Sequence, residues 1–339
     1  MSMHRFILLP CLAFLTFGGV LGCASSTRYV NDLGQTMREA GQSVRSVFIE
    51  NDNAGQKGPE KWVADLVKEG MPPKLLITAD IGQCGADHRP QPSVFATAEL
   101  LEERPGIILL AGDIAYPDGR AVDFSECYDP AYGPLKKRSL PVPGNHEYHE
   151  KNASAYFQYF GDRAGQAGKG WYSVNFAGWH IVALNSNLAM SEGSPQLKWL
   201  QQDLAQRPPG CLLAFWHHPR FSSGEHGNNA WIDPAWQMLV QAGADLVLNG
   251  HDHDYERFAP MNAFAEELEM GTREIVVGTG GATLREPVEV KANSVIRNGK
   301  SFGILELQLR KDSYDWRFLG TQDSEFEDRG SGQCHQLGQ

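Results

Sequence analysis

The side chains best suited to chemistry in this chain come just after short apolar runs. Lys74–Thr78 ends at Ala79-Asp80, Ile107–Ala111 at Gly112-Asp113, and Leu140–Pro143 at Gly144-Asn145-His146-Glu147. Leu212–Trp216 ends at His217-His218-Pro219, and Asp245–Leu248 at Asn249-Gly250-His251-Asp252-His253. Asp80, Asp113, Asn145, His146, His217, His251 and His253 amount to two carboxylates, one amide and four imidazoles. That is a ligand supply for two metal ions. A carboxylate can bridge such a pair because it has two oxygens and a charge that offsets two cations. Imidazole suits iron, zinc and similar ions.

For these residues to meet, each apolar run must be a strand whose carboxyl end opens on a common rim. Each run is short, apolar and closed by a breaker, as buried strands are. Between them the pattern predicts helices over Val94 to Glu103, from Ser194-Pro195 through Trp199 and Leu204, and from Asp233-Pro234 through Trp236 to Gly243. Ser194 is placed as an N-cap, with Pro195 in the first turn. Trp171 to Asn185 reads as a β-hairpin turning at Ala177-Gly178. Glu274–Val277, Phe302–Leu309 and Tyr314–Leu319 are strand-like with no helix between them. The mixture predicts an α/β domain of two packed mixed β-sheets flanked by helices.

The chain has 339 residues, with 30 Lys plus Arg against 41 Asp plus Glu, a formal net charge of −11. An acidic surface makes a poor binder of phosphate backbones, so nucleic acid is not expected as a partner. His4 and Arg5 precede an apolar run from Phe6 to Leu21 that ends at Gly22-Cys23. This has the layout of a secretory signal peptide, and Val20-Leu21-Gly22-Cys23 looks like a bacterial lipobox whose Cys23 takes a lipid. The expectation is an exported lipoprotein of the cell envelope, or a secreted protein, held to the membrane through Cys23. The expected organisation is leader 1–23, linker and irregular lead-in 24–70, catalytic domain 71–325 and tail 326–339. With Cys11 and Cys23 set aside, Cys84, Cys127, Cys211 and Cys334 permit two disulfides in three connectivities. The proximity of Cys84 and Cys127 to the motifs favours pairing these two. Zinc binding by these thiols is the alternative, although no CxxC spacing is present.

Asp80-Ile81-Gly82, Gly112-Asp113-Ile114-Ala115-Tyr116, Gly144-Asn145-His146-Glu147, Ala214-Phe215-Trp216-His217 and Gly250-His251-Asp252-His253 resemble, in order and spacing, the five blocks of purple acid phosphatases. These are members of the calcineurin-like metallophosphoesterases, which implies an α/β/β/α sandwich. Ala79 and Ala214 stand where that family usually has Gly and Val; neither is a ligand position. Gly82 and Tyr116 point to the purple branch. The resemblance implies that Asp80, Tyr116 and His253 hold one metal, Asn145, His217 and His251 the other, and that Asp113 bridges. It implies Fe(III) at the Tyr116 site, with Zn, Mn or Fe(II) beside it. It further implies a hydrolase acting on phosphate esters through a metal-bound hydroxide, most simply a phosphomonoesterase on small substrates. A phosphodiesterase or nucleotidase, or a non-catalytic surface lipoprotein that binds a partner, are the alternatives.

His146 is assigned to phosphate contact and leaving-group protonation, and His226, on a Gly-rich loop, to a share of that role. The His218 side chain would point to the opposite face if the strand continued, and it reads equally as structural or catalytic. Glu147 and Asp252 are read as carboxylates that orient neighbouring imidazoles, and Asp254 and Glu256 equally as partners of Arg257 or as groups that meet substrate. Gly278-Thr279-Gly280-Gly281 reads as a tight turn beneath the site. His88, His149, His180 and His335 receive no role, and Trp199, Trp236 and Trp316 are expected to pack.

Overall fold

The computed structural model describes residues 58–335. The leader, Cys23 and most of the expected lead-in lie outside the described residues. Thirteen strands form two sheets. The first contains β1 (Lys74–Thr78), β2 (Ile107–Ala111), β3 (Ser139–Val142), β11 (Gly303–Leu309), β12 (Ser313–Gly320) and β13 (Arg329–Gln333), in the order β13-β12-β11-β1-β2-β3. The second contains β4 (Tyr172–Phe176), β5 (Trp179–Ala183), β6 (Cys211–Phe215), β7 (Leu246–Asn249), β8 (Tyr255–Phe258), β9 (Arg273–Val277) and β10 (Ser294–Asn298), in the order β10-β8-β9-β7-β6-β5-β4. Both are mixed: β1, β2 and β3 run parallel, as do β5, β6, β7 and β9, while the hairpin strands pair antiparallel.

Strands buried on both faces need apolar residues at every position, which is why the sequence shows continuous runs and not alternation. Inward-facing Leu75, Ile77, Leu109, Leu305 and Leu307 of the first sheet meet Leu213, Phe215, Leu246, Leu248 and Ile275 of the second in one core. The opposite face of the second sheet, with Leu212, Ala214, Trp216 and Val247, is covered by helices Pro195–Gln206 and Asp233–Gln241. In the first of these helices the Ser194 hydroxyl accepts from the Leu197 amide, so the expected N-cap forms. The β4–β5 hairpin turns at Ala177 and Gly178, both at positive φ (53° and 84°), as a two-residue turn matched to the strand twist requires. Trp236 is fully buried, Trp316 nearly so, and Trp199 packs half-buried beside the helix layer.

The folded part exceeds the expected limits on both sides. Helix Pro59–Lys68 buries Val63 and Leu66 in the inter-sheet core, so 24–70 is not all lead-in. Arg329–Gln333 adds an edge strand to β12, and Cys334 is disulfide-bonded to Cys211, so 326–339 is not all tail. The glycine-rich sequence of that edge strand hid it: Gly330 and Gly332 lie against the Trp316 and Tyr314 rings, where a side chain would collide. The other disulfide is Cys84–Cys127, the favoured pair, so these four thiols are not zinc ligands. Among the described residues no helix is long and apolar enough to cross a membrane.

Candidate metal centre

The five expected strand ends open on one rim. Asp80 and Asp113 follow β1 and β2, and His251 follows β7; all three adopt positive φ (58°, 47° and 73°). A non-glycine residue in that region costs on the order of 1–3 kcal/mol, and the surrounding structure must enforce it. Here backbone hydrogen bonds do so. Asp80 N–H donates to Gly112 carbonyl (3.1 Å), Ile81 N–H to Asp113 carbonyl (2.9 Å) and Gly250 N–H to His217 carbonyl (3.0 Å). Gly144 passes so close to the Asp113 carboxylate that any β-carbon there would strike it.

The seven donors converge. Tyr116 Oη lies 3.0 Å from Asp80 Oδ1, 3.2 Å from Asp113 Oδ2 and 3.0 Å from His253 Nε2. His217 Nε2 is 3.2 Å from both Asp113 Oδ2 and Asn145 Oδ1. The rings of His217 and His251 are 5.0 Å apart, and ligating atoms of Asp113, His217 and His251 all fall within 4.8 Å of one another. Asp80 also joins the two sheets, accepting from the His251 amide at 2.9 Å.

The remote ring nitrogens fix how the imidazoles face the rim. His217 Nδ1 pairs with the Ala111 carbonyl (2.9 Å) and His253 Nδ1 with the Thr283 carbonyl (2.8 Å), so both present Nε2. In neutral rings those Nε2 lone pairs face the carboxylate and amide oxygens, acceptor against acceptor. Such an arrangement fits a cation between them. The charge distribution agrees. Burial works against a charged Asp113, but His217 outweighs it and holds the carboxyl well below the usual range. Burial, joined by Asp113, pushes Asp80 well above it. Burial opposes protonation of His217, yet Asp113 and Asp80 pull it up to about 9, so near neutral pH a proton on this ring answers the carboxylates where a bound cation would displace it. Burial pushes His253 down to about 4, which leaves the neutral ring that metal ligation needs. The donor set therefore fits two cations, with Asp113 central. Tyr116, raised well above 10 by burial and the two aspartates, would give up its proton only to a strongly polarising ion.

Both expected catalytic imidazoles stand at the mouth. His146 Nε2 is 3.7 Å from Asp113 Oδ2 and its Nδ1 is 2.5 Å from the Pro117 carbonyl. The His226 ring stacks on His251 at 4.1 Å. His218 does not point away, because β6 ends at Phe215 and the strand does not continue. Its ring lies 4.4 Å from His251, with Nδ1 2.7 Å from Ser186 Oγ.

Several carboxylates take other partners than expected. Among the described residues Glu147 makes no hydrogen bond to an imidazole. It is fully buried and accepts from the amides of Ile114 (2.8 Å), Ala115 (3.1 Å) and Gly144 (2.7 Å), tying the β2 loop to the β3 loop. Asp252 accepts from the Ser222 hydroxyl and the His226 amide (2.9 Å), and so holds the His226 loop. Arg257 pairs with Asp328 at 2.7 and 3.0 Å, on the far side of its strand from Glu256. Glu256 instead receives Ser223 and Ser294, and Asp254 is buried with neither carboxylate oxygen hydrogen-bonded among the described residues. The 278–281 turn does lie beneath the site: Gly280 N–H donates to Ala79 carbonyl and Ala282 N–H to Asp80 carbonyl, each at 2.9 Å. Of the unassigned histidines, the His149 ring lies tilted 4.9 Å from that of His146, His180 is held by Asn175 and Asp203, and His335 by Asp245. Sequence reasoning missed Arg285, a lone arginine in a loop without a motif, which reaches His226.

The calcineurin-like phosphoesterase family model matches residues 73–255, a span that includes all seven donors. The chain belongs to that family. Within it the chain is similar to purple acid phosphatases. It is 29% identical over 230 residues to purple acid phosphatase 15 of Arabidopsis thaliana, covering 57% of this chain and 43% of that one. It is 26% identical over 298 residues to purple acid phosphatase 18 of the same plant, covering 80% and 64%. The fold superposes on a purple acid phosphatase from yellow lupin seeds with a TM-score of 0.68 at 18% identity, covering 76% of this chain and 53% of that structure. The chain spans about half the length of the curated relatives it matches.

Proposed function

We propose that this protein hydrolyses phosphate monoesters at a centre of two metal ions, with Asp80, Tyr116 and His253 holding one, Asn145, His217 and His251 the other, and Asp113 shared. The observation that carries the reading is the convergence of these seven side chains around Asp113, with neighbouring donor atoms of Asp80, Asp113, Tyr116, Asn145 and His217 at 3.0–3.2 Å. Two bound cations would supply positive charge for phosphoryl oxygens and a means of activating water near neutral pH. A phenolate from Tyr116, a hard anionic donor, favours Fe(III) at its site, with Zn, Mn or Fe(II) at the other.

The chain's own residues supply the rest. His146, half-buried and held through Nδ1 by the Pro117 carbonyl, presents Nε2 to the mouth for proton delivery to the leaving-group oxygen. His226 stands against His251 and offers a second imidazole to the phosphate. The Asp252 and Glu147 carboxylates keep the two loops in register. The leader-like start and Cys23 support an exported, lipid-anchored form, and two disulfides among the described residues fit an oxidising compartment.

The test is metal analysis of protein purified without chelators, with p-nitrophenyl phosphate hydrolysis on the same sample. Two metals per chain with turnover support the reading. Full loading without turnover on a broad ester panel favours a binding protein. A visible absorption band that Tyr116→Phe abolishes supports Fe(III) on the phenolate; an unchanged band overturns it. Release of a Cys23→Ser variant from the membrane fraction tests the lipid anchor.

A further inference from the structure

Beside the donors lies a cleft of about 1030 Å³, lined among others by Tyr116, His146, His253, Thr283, Arg120 and Arg285. Of its two arginines, Arg120 is committed to Asp123 through Nε and Nη2 (both 3.2 Å). Arg285 is placed differently. Its backbone amide donates to the carbonyl of His253 at 3.0 Å, which fixes the residue against the rim. Its Nη1 is 3.0 Å from His226 Nε2 and 3.2 Å from Glu225 Oε2, and the side chain keeps 39% of its surface exposed. Both contacts use one nitrogen. Among the described residues, Nε and Nη2 have no hydrogen-bond partner, so an edge of the planar fork remains available.

A guanidinium edge recognises two oxygens of a phosphate at once, a geometry a point charge cannot match. The guanidinium of Arg285 and the imidazole of His226 stand in contact, so a single anion can meet both. The Glu225 carboxylate, 60% exposed, is a surface partner whose contribution is small and readily displaced.

We propose that Arg285 binds the substrate's phosphate group together with His226, and that it sets a preference for monoesters over diesters. The inference rests on the phosphoesterase reading above. A monoester keeps one more unsubstituted oxygen than a diester, and at neutral pH carries more charge. Removing the guanidinium therefore weakens monoester binding more than diester binding. Arg285 holds the phosphate; the proton to the leaving group still comes from His146.

The experiment uses the full metal-loaded chain and three variants: Arg285→Gln, Arg285→Lys and Glu225→Gln. Inorganic phosphate binding is measured by calorimetry, with metal content and circular dichroism as controls. KM and kcat are measured for p-nitrophenyl phosphate and bis(p-nitrophenyl) phosphate. Losing a charge-assisted pair of hydrogen bonds is expected to weaken phosphate binding about tenfold in Arg285→Gln. The monoester KM is expected to rise by a similar factor and the diester KM to change much less. Arg285→Lys should recover part of the loss, and Glu225→Gln should bind phosphate at least as tightly as the parent. If Arg285 only braces Glu225 and the loop, Glu225→Gln and Arg285→Gln will weaken binding together, and that result overturns the proposal. So does phosphate binding unchanged within twofold in Arg285→Gln. Absence of ester turnover in the metal-loaded parent would sink the phosphoesterase reading instead, and the calorimetric comparison would still decide the role of Arg285.

Discussion

The six-stranded sheet brings oxygen donors to the rim, and the seven-stranded sheet brings imidazoles. Asp80, Asp113, Tyr116 and Asn145 follow β1, β2 and β3; His217, His251 and His253 follow β6 and β7. Each side also carries a buried carboxylate that no ion requires. Glu147 pins the oxygen loops through three backbone amides, and Asp252 pins the loop of His226. Neither half is stable chemistry alone. Buried aspartates without positive charge are costly, and neutral imidazoles without anionic co-ligands hold a divalent ion less firmly. Packing the sheets against each other through an apolar core brings the two half-sites together, and Asp80 joins them by accepting from the His251 amide.

The sharpest way to break this comparison is to remove one donor from each side. Asp113→Asn takes away the shared anion, and turnover should fall on the order of 10³-fold with loss of both metals by elemental analysis. His251→Ala removes one imidazole and should cost one metal while the other stays. Equal metal loss in the two variants would show that the halves are not distinct in this way.

The loop anchors differ in the same way. Glu147→Gln replaces an acceptor of three amides with a group that must turn an N–H toward one of them. It should destabilise the fold by about 1–3 kcal/mol in urea titration and lower kcat, because two ligand loops shift. Asp252→Asn should instead raise KM and leave metal content intact, since it holds only the His226 loop. A metal loss in Asp252→Asn matching that of Glu147→Gln would erase the distinction.

The disulfides sharpen the same contrast between site and scaffold. Each should be worth roughly 3–5 kcal/mol by loop-closure arguments. Cys84 and Cys127 line the cleft, and removing both should change KM as well as stability. Removing Cys211 and Cys334, which tie the end of the first sheet to β6 of the second, should lower the melting temperature with unchanged kinetics.

The smallest effect concerns pH. Glu274 in β9 is fully buried, accepts from the amides of Arg220 (2.7 Å) and Phe221 (3.1 Å), and is raised by burial to about 8. A folded carboxyl that keeps its proton longer than the unfolded one loses stability as pH rises from about 4.5 to about 8. Glu274→Gln cannot titrate there, so its melting temperature should fall less steeply across that window. A slope identical to the parent's would refute the assignment.

Much of the site was legible because Asp, Asn and His residues come directly after five separate apolar runs, so the strand ends that must share a rim all supply metal-ligating groups. Asp80, Asp113, Asn145, His217, His251 and His253 all meet as the strand pattern requires. Tyr116 belongs with them by resemblance, since its place three residues past Asp113 in the matching block is what favours ligation over a core aromatic. Arg285 was invisible, because a single arginine in a loop carries no periodicity. The direction of His218 hung on whether the strand continued, and β6 stops at Phe215. The Asp254–Glu256–Arg257 reading failed for a related reason: neighbours along a strand point to opposite faces, and Arg257 found Asp328 from a distant edge. Polar β8 and β10 and glycine-rich β13 escaped notice because edge and near-edge strands need not be continuously apolar.

By itself the sequence determined which side chains were available, the order in which the chain supplies them, and the strands that end at them, because burial on both faces leaves an unbroken apolar signature. Tertiary structure alone decided which carboxylate lies at the centre, which ring nitrogen each histidine presents and which arginine stands at the mouth. Those depend on distances between segments that are far apart along the chain, set by the packing of one sheet on the other and by hydrogen bonds no local pattern encodes.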